Sequence, residues 1–176
     1  MPRFRLAAPL ALLAAGLLAG CSDSEGKFAP ACPQISLLAE GADLTRFAGQ
    51  GRDILDRVLE GRLSGIEGTC QPGRNNEMVT TLRLRAELRR GPAAQGRSVQ
   101  VPYFVAVMDG ERIVDRRSFA LEATFPSNVD MLRVTGEELE LRFPGTADGS
   151  APRLRVLVSF QLTQDELAFN RRTAAR

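Results

Sequence analysis

Leu82-Arg83-Leu84-Arg85-Ala86-Glu87-Leu88-Arg89 alternates apolar and charged side chains for eight residues. Successive side chains of an extended chain point to opposite faces, so this stretch is a strand with one dry and one wet face. The same period returns at 153–162, where Leu154, Val156, Val158, Phe160 and Leu162 share a face, and at 138–143, where Leu139, Leu141 and Phe143 alternate with Glu138, Glu140 and Arg142. Half-buried strands of this kind belong to antiparallel sheets. Residues 99–108, Val-Gln-Val-Pro-Tyr-Phe-Val-Ala-Val-Met, are instead apolar on both faces and run into Asp109-Gly110, a pair suited to a tight hairpin turn with positive φ at both central positions. On the return, Phe119, Leu121, Ala123 and Phe125 are in phase, while Ile113 followed by Asp115 and Arg117 predicts a bulge near 115–117.

Upstream, residues 53–60 read as helix or strand, because Ile54, Leu55, Val58 and Leu59 have helical spacing whereas Leu59, Leu63 and the glycines at 61, 65 and 68 do not. The later half is taken as a strand ending at Cys70. With a first strand at about 34–39 there are about seven strands, separated by loops such as Gln71-Pro-Gly-Arg-Asn-Asn76 and Gly91-Pro-Ala-Ala-Gln-Gly96. The expectation is an all-β fold, an antiparallel β-sandwich of immunoglobulin-like type over 32–176, without the Cys…Trp…Cys core of a true immunoglobulin domain. One short C-terminal helix, 164–172, follows. Thr163 and Glu166 form a capping-box pattern, Leu162 and Leu167 take the staple positions, and Arg171 and Arg172 fill the last turn.

A chain of 176 residues with 44% hydrophobic and 25% charged side chains has the composition of one globular domain. Of 23 basic residues, Arg3 and Arg5 lie in the first twenty positions, which hold no acid, so the remainder carries 21 basic and 21 acidic side chains. A neutral body lacks the clustered positive charge that nucleic acid binding needs, so no nucleic-acid partner is expected. The basic residues are nearly all arginine, which reflects codon bias rather than selected guanidinium chemistry.

The first residues form an address. Arg3 and Arg5 precede the apolar run Leu6–Leu18, and Ala19-Gly20-Cys21 closes it. Thirteen apolar residues are too few to span about 30 Å of hydrocarbon, and small residues suit cleavage. Leu18-Ala19-Gly20-Cys21 resembles the lipobox of bacterial lipoproteins. The resemblance covers residues 1–21 and implies a signal peptide, 1–20, that is removed, with a diacylglycerol and an N-acyl chain on Cys21 as the sole cofactor-like groups. Attachment through two or three acyl chains is effectively permanent. The resemblance also implies a periplasm-facing position in the cell envelope, and Ser22 in place of an aspartate after the lipidated cysteine favours the outer over the inner membrane. Residues 21–31 read as the lipidated cysteine and a flexible tether; the ten residues from Ser22 to Ala31 reach about 35 Å when extended. The body resembles only uncharacterised bacterial lipoproteins that end in a similar strand–Leu-Thr–helix run, which implies no activity.

With Cys21 lipidated, Cys32 and Cys70 remain as one pair in an oxidising compartment, and the chain-entropy relation gives their loop a stabilisation of roughly 4 kcal/mol. A catalytic thiol needs a nearby base, and the chain holds no histidine. A structural disulfide is therefore expected.

The absence of histidine also removes Ser-His-Asp and Cys-His arrangements and the usual nitrogen ligands of zinc, copper and iron, so no metal site and no enzyme activity is expected. The single lysine, Lys27, lies in the tether, and no nucleotide-binding loop is present. Carboxylates remain, at Glu137-Glu138-Glu140, Asp53/Asp56 and Asp165-Glu166, but neighbours on a strand point apart, and the last pair belongs to the helix start.

Two surfaces suggest contacts. Arg83, Arg85 and Arg89 line one strand and suit phosphate or carboxylate groups, against the plainer reading of a solvated face cross-paired with Glu138 and Glu140, which is favoured. Phe104, Ala106 and Met108 form the second apolar face of 99–108 and need a cover, either the terminal helix with Leu167 and Phe169 or a partner protein. Pro102 cannot donate to a ladder, which places this strand partly at an edge where a partner strand can add. The functional expectation is a membrane-anchored binding or scaffolding module whose partner is an envelope protein. The alternatives are a carrier of an apolar ligand inside the sandwich and a carboxylate-based hydrolase.

Overall fold

A computed structural model describes residues 32–75, 77–144 and 154–174. Cys21, the signal segment 1–20 and the tether lie outside the described residues. The chain forms a two-sheet β-sandwich with one C-terminal helix. The strands are β1 (Gln34–Leu37), β2 (Asp43–Phe47), β3 (Arg57–Pro72), β4 (Glu77–Arg90), β5 (Ser98–Asp109), β6 (Arg112–Thr124), β7 (Met131–Thr135), β8 (Leu139–Pro144) and β9 (Leu154–Phe160), followed by α1 (Gln164–Ala174). One sheet has the order β1-β9-β5-β6, and the other has β2-β3-β4-β7 with β8 also on β4. All pairings are antiparallel except β1 with β9. Nine strands among the described residues exceed the seven expected. The additional β2 and β7 are five residues each and carry too few apolar side chains to announce a period.

The ambiguity at 53–60 resolves into two elements. Ile54–Asp56 is a 3-10 turn, in which Ile54 N–H donates to Asp53 Oδ1 at 2.6 Å and Asp53 N–H donates to Asp56 Oδ2 at 3.0 Å. From Arg57 the chain is strand for sixteen residues. Gly61 faces the interior of the sandwich, where a Cβ would stand 3.2 Å from both Leu88 and Phe160, so a larger residue would force these side chains to shift by a few tenths of an ångström.

The β5–β6 turn differs from expectation by one residue. Asp109 pairs with Arg112, so the central residues are Gly110 and Glu111, and of these only Gly110 has positive φ, 60°. That pattern suits a turn with glycine at its first central position. The bulge precedes the expected 115–117: Val107 pairs with Asp115 and Met108 with Ile113, leaving Val114 as the extra residue.

Between the sheets, Val101, Tyr103, Val105, Leu121, Phe125, Val156, Val158 and Phe160 meet Leu44, Leu59, Leu82, Leu84, Leu88 and Leu141, all almost wholly buried. Each large side chain contributes roughly 1.5–3 kcal/mol through burial. Tyr103 stacks on Phe119 with ring centroids 5.5 Å apart. Cys32 and Cys70 form a disulfide that ties the start of the body to the far end of β3.

The helix begins as its capping pattern requires, with Glu166 N–H donating to Thr163 Oγ1 at 3.2 Å and Thr163 N–H donating to Glu166 Oε2 at 2.8 Å. It runs to Ala174, two residues beyond the expected 172. Its cover is β2 and the 3-10 turn Ala39–Gly41. Phe169 meets Phe47 edge to face at 5.1 Å, Asn170 donates to the carbonyls of Asp43 and Glu40, and Arg171 pairs with Glu40 at 2.7 Å. The helix thus shields an edge strand. It does not cover Phe104 and Met108, for which it had been one of two candidates.

Candidate functional site

On the exterior of sheet β1-β9-β5-β6, alternate residues of β5 point outward, which aligns Phe104, Ala106 and Met108 in one row. Leu157 of β9 lies opposite Ala106, and Ile113 of β6 lies opposite Met108. Together these make an apolar strip on a solvent-facing sheet surface. Phe104, Met108 and Leu157 are half-buried and Ile113 is exposed. The guanidinium of Arg116 lies over Phe104, 4.5 Å from its ring centroid, a cation–π contact. At the far end, Ser159 is sealed beneath Gly41 and donates to the Phe160 carbonyl at 2.8 Å. β5 is not an edge, as it lies between β9 and β6; Pro102 is tolerated because the donor it lacks would face the β9 side just beyond where β9 ends, where its carbonyl accepts from the Gln161 amide. The open edge of this sheet is β6 instead.

The exterior of the other sheet is a lattice of ion pairs. Asp43, Arg62, Glu87 and Arg133 lie in register across β2, β3, β4 and β7, with Arg62 2.7 Å from Asp43 and Arg133 2.9 Å from Glu87. The hydrogen bond that Arg62 donates to the Asp43 carboxylate raises the guanidinium pKa above its ordinary value. Arg83 pairs with Glu138 at 3.0 Å, Arg85 with Glu67 at 3.1 Å, and Arg142 with Glu140 at 2.6 Å. Of the expected cross-pairs, Arg83 with Glu138 is present, while Arg85 takes Glu67 and Glu140 takes Arg142. Arg89 stands apart, opposite Glu60 and Met131, with Nη2 3.7 Å from the Met131 sulfur. Arg83, Arg85 and Arg89 and the pair Phe104 and Met108 occupy opposite exteriors of the sandwich, so these five residues do not form one surface.

The carboxylate clusters are similarly occupied. Asp53 and Asp56 cap the 3-10 turn, Glu138 and Glu140 hold arginines, Asp165 faces Arg52 at 3.8 Å, and Glu166 caps the helix. Among the described residues no three His, Cys, Asp or Glu side chains gather as a metal site requires, and no helix is long and apolar enough to cross a membrane.

A groove of about 790 Å³ lies between α1 and the ion-pair lattice, with Arg89, Met131, Phe169 and Asn170 on its walls. Sequence periodicity did not announce it, because it arises from where the helix docks. Leu157 was also missed as part of the strip. The signal for Leu157 was present, since it is the one apolar residue out of phase in 154–160. Compared with known proteins, the chain matches no protein-family model, no curated protein and no solved structure.

Proposed function

We propose that the protein is a lipid-anchored module of the bacterial cell envelope, held through Cys21 in the outer membrane and facing the periplasm, that binds or scaffolds another envelope protein. The observation that carries this reading is the contrast between the two exteriors. One sheet closes its charged side chains on one another, while the other keeps Phe104, Met108 and Leu157 partly exposed around the buried Ala106, as an apolar strip fringed by Arg116 and Arg155. Interface cores are enriched in aromatic residues, methionine and arginine, and this strip has that composition. The Cys32–Cys70 bridge supports an oxidising compartment, and the signal-like segment with Leu18–Cys21 supports the anchor. No catalytic step is assigned.

A photo-crosslinking side chain at Leu157, in cells, tests the reading. The expected result is one dominant adduct with an envelope protein, lost when Phe104→Glu is added in a domain that still melts normally. An adduct pattern no different from that of a crosslinker at Arg133, on the opposite sheet, rejects it. The alternative of an apolar ligand carried inside the sandwich has no such support, because side chains fill the space between the sheets.

A further inference from the structure

Ile113 and Val114 are 56% and 47% exposed, beside the Gly110–Glu111 turn. This turn stands at the same end of the sandwich as the root of the tether. Gln34, two residues after Cys32, is in register with Arg155 on β9, Arg155 is in register with Met108 on β5, and Met108 with Ile113 on β6. Three strand spacings, about 14 Å, separate β1 from β6. Arg155 ties the turn down by donating to the Gly110 carbonyl at 2.8 Å, while Arg112 and Arg117 face Asp109 and Asp115 at 3.7 and 3.0 Å. Around the two apolar side chains stand Arg112, Arg116, Arg117 and Arg155 against Asp109, Glu111 and Asp115, a small positive surplus.

We infer that the β5–β6 turn docks on the bilayer that holds the Cys21 anchor, with Ile113 and Val114 entering the interface and the surrounding arginines at headgroup level. The inference rests on the anchored reading above. Ten residues between Cys21 and Cys32 reach at most about 35 Å, so the turn stays within range of the surface. Tethering holds the turn at a millimolar effective concentration of that surface, at which two apolar side chains with arginines that snorkel are enough for docking. The domain would then stand on this end. The exposed Leu55, at the opposite end of β3, points away by roughly 40 Å.

The chain has no tryptophan, so one introduced indole reports a single place. The chain from Cys21 onward, coupled through the Cys21 thiol to a maleimide phospholipid, is placed on vesicles of zwitterionic and anionic phospholipid with brominated acyl chains. The fluorescence of Val114→Trp is expected to shift to the blue and to be quenched about twofold or more beyond that of Leu55→Trp, as insertion to interfacial depth requires. Ile113→Trp repeats the measurement should Val114→Trp lower the melting point. Quenching equal at the two ends, or absent at both, overturns the inference. Because the conjugate supplies the anchor chemically, acylation of Cys21 in cells stands or falls on its own labelling experiment.

Discussion

Arg46 on β2 donates its Nε–H to Oε1 of Glu166 at 3.2 Å, while the other oxygen of that carboxylate accepts the Thr163 amide. One nearly buried carboxylate therefore starts the helix and fastens it to the edge strand. Glu166→Ala removes both contacts and is expected to lower stability by about 1–3 kcal/mol, while Glu166→Gln, which keeps an acceptor for the cap, is expected to lose about half as much or less. Truncation after Leu162 uncovers Phe47 and the β2 edge and should cost about 2–4 kcal/mol. Urea unfolding of the three variants checks the ranking.

Tyr103 is the only tyrosine in the chain, and burial, with a smaller effect from the Glu137 carboxylate, raises its phenol above the ordinary value. In the unfolded chain the same phenol ionises near pH ~10. The folded state thus holds the proton more tightly than the unfolded state. Its contribution is complete below the unfolded pKa and disappears as pH rises through the folded one. Ionisation followed at the phenolate absorption band is expected to be delayed beyond pH ~10 and to coincide with loss of the fold. Tyrosinate appearing near its ordinary pH in a protein that remains folded would contradict the burial.

Thr80 lies wholly inside the sandwich opposite Leu141, and its Oγ1 finds no hydrogen-bond partner among the described residues. A buried hydroxyl without a partner costs stability, and a methyl of similar size does not. Thr80→Val is expected to raise stability by about 1 kcal/mol, read as a higher urea midpoint with an unchanged slope. A loss of stability would show that the hydroxyl is satisfied.

The long strands and the helix cap were legible because each depends on local chemistry: a period of two in 82–89 and 153–160, and the Thr163–Glu166 reciprocity. What sequence could not give depends on distant partners. β2 becomes a strand because β3 pairs with it and α1 covers it, and neither neighbour can be read from Asp43-Leu-Thr-Arg-Phe47. The turn slipped by one residue because Val114 drops out of the ladder and moves every later pair. Arg83 and Phe104 both stand on outward faces, but they belong to different sheets, and sheet membership is set by topology rather than by alternation.

The proposed anchor at Cys21 underlies both the proposed place of work and the proposed docked end, so its acylation is the most direct test. Cells expressing the full chain are labelled with palmitate, and the wild type is compared with Cys21→Ser. The wild type should take up label and migrate as the shorter, processed form, whereas Cys21→Ser should remain an unlabelled precursor. A Cys21→Ser chain that is still processed and still carries palmitate would contradict the account.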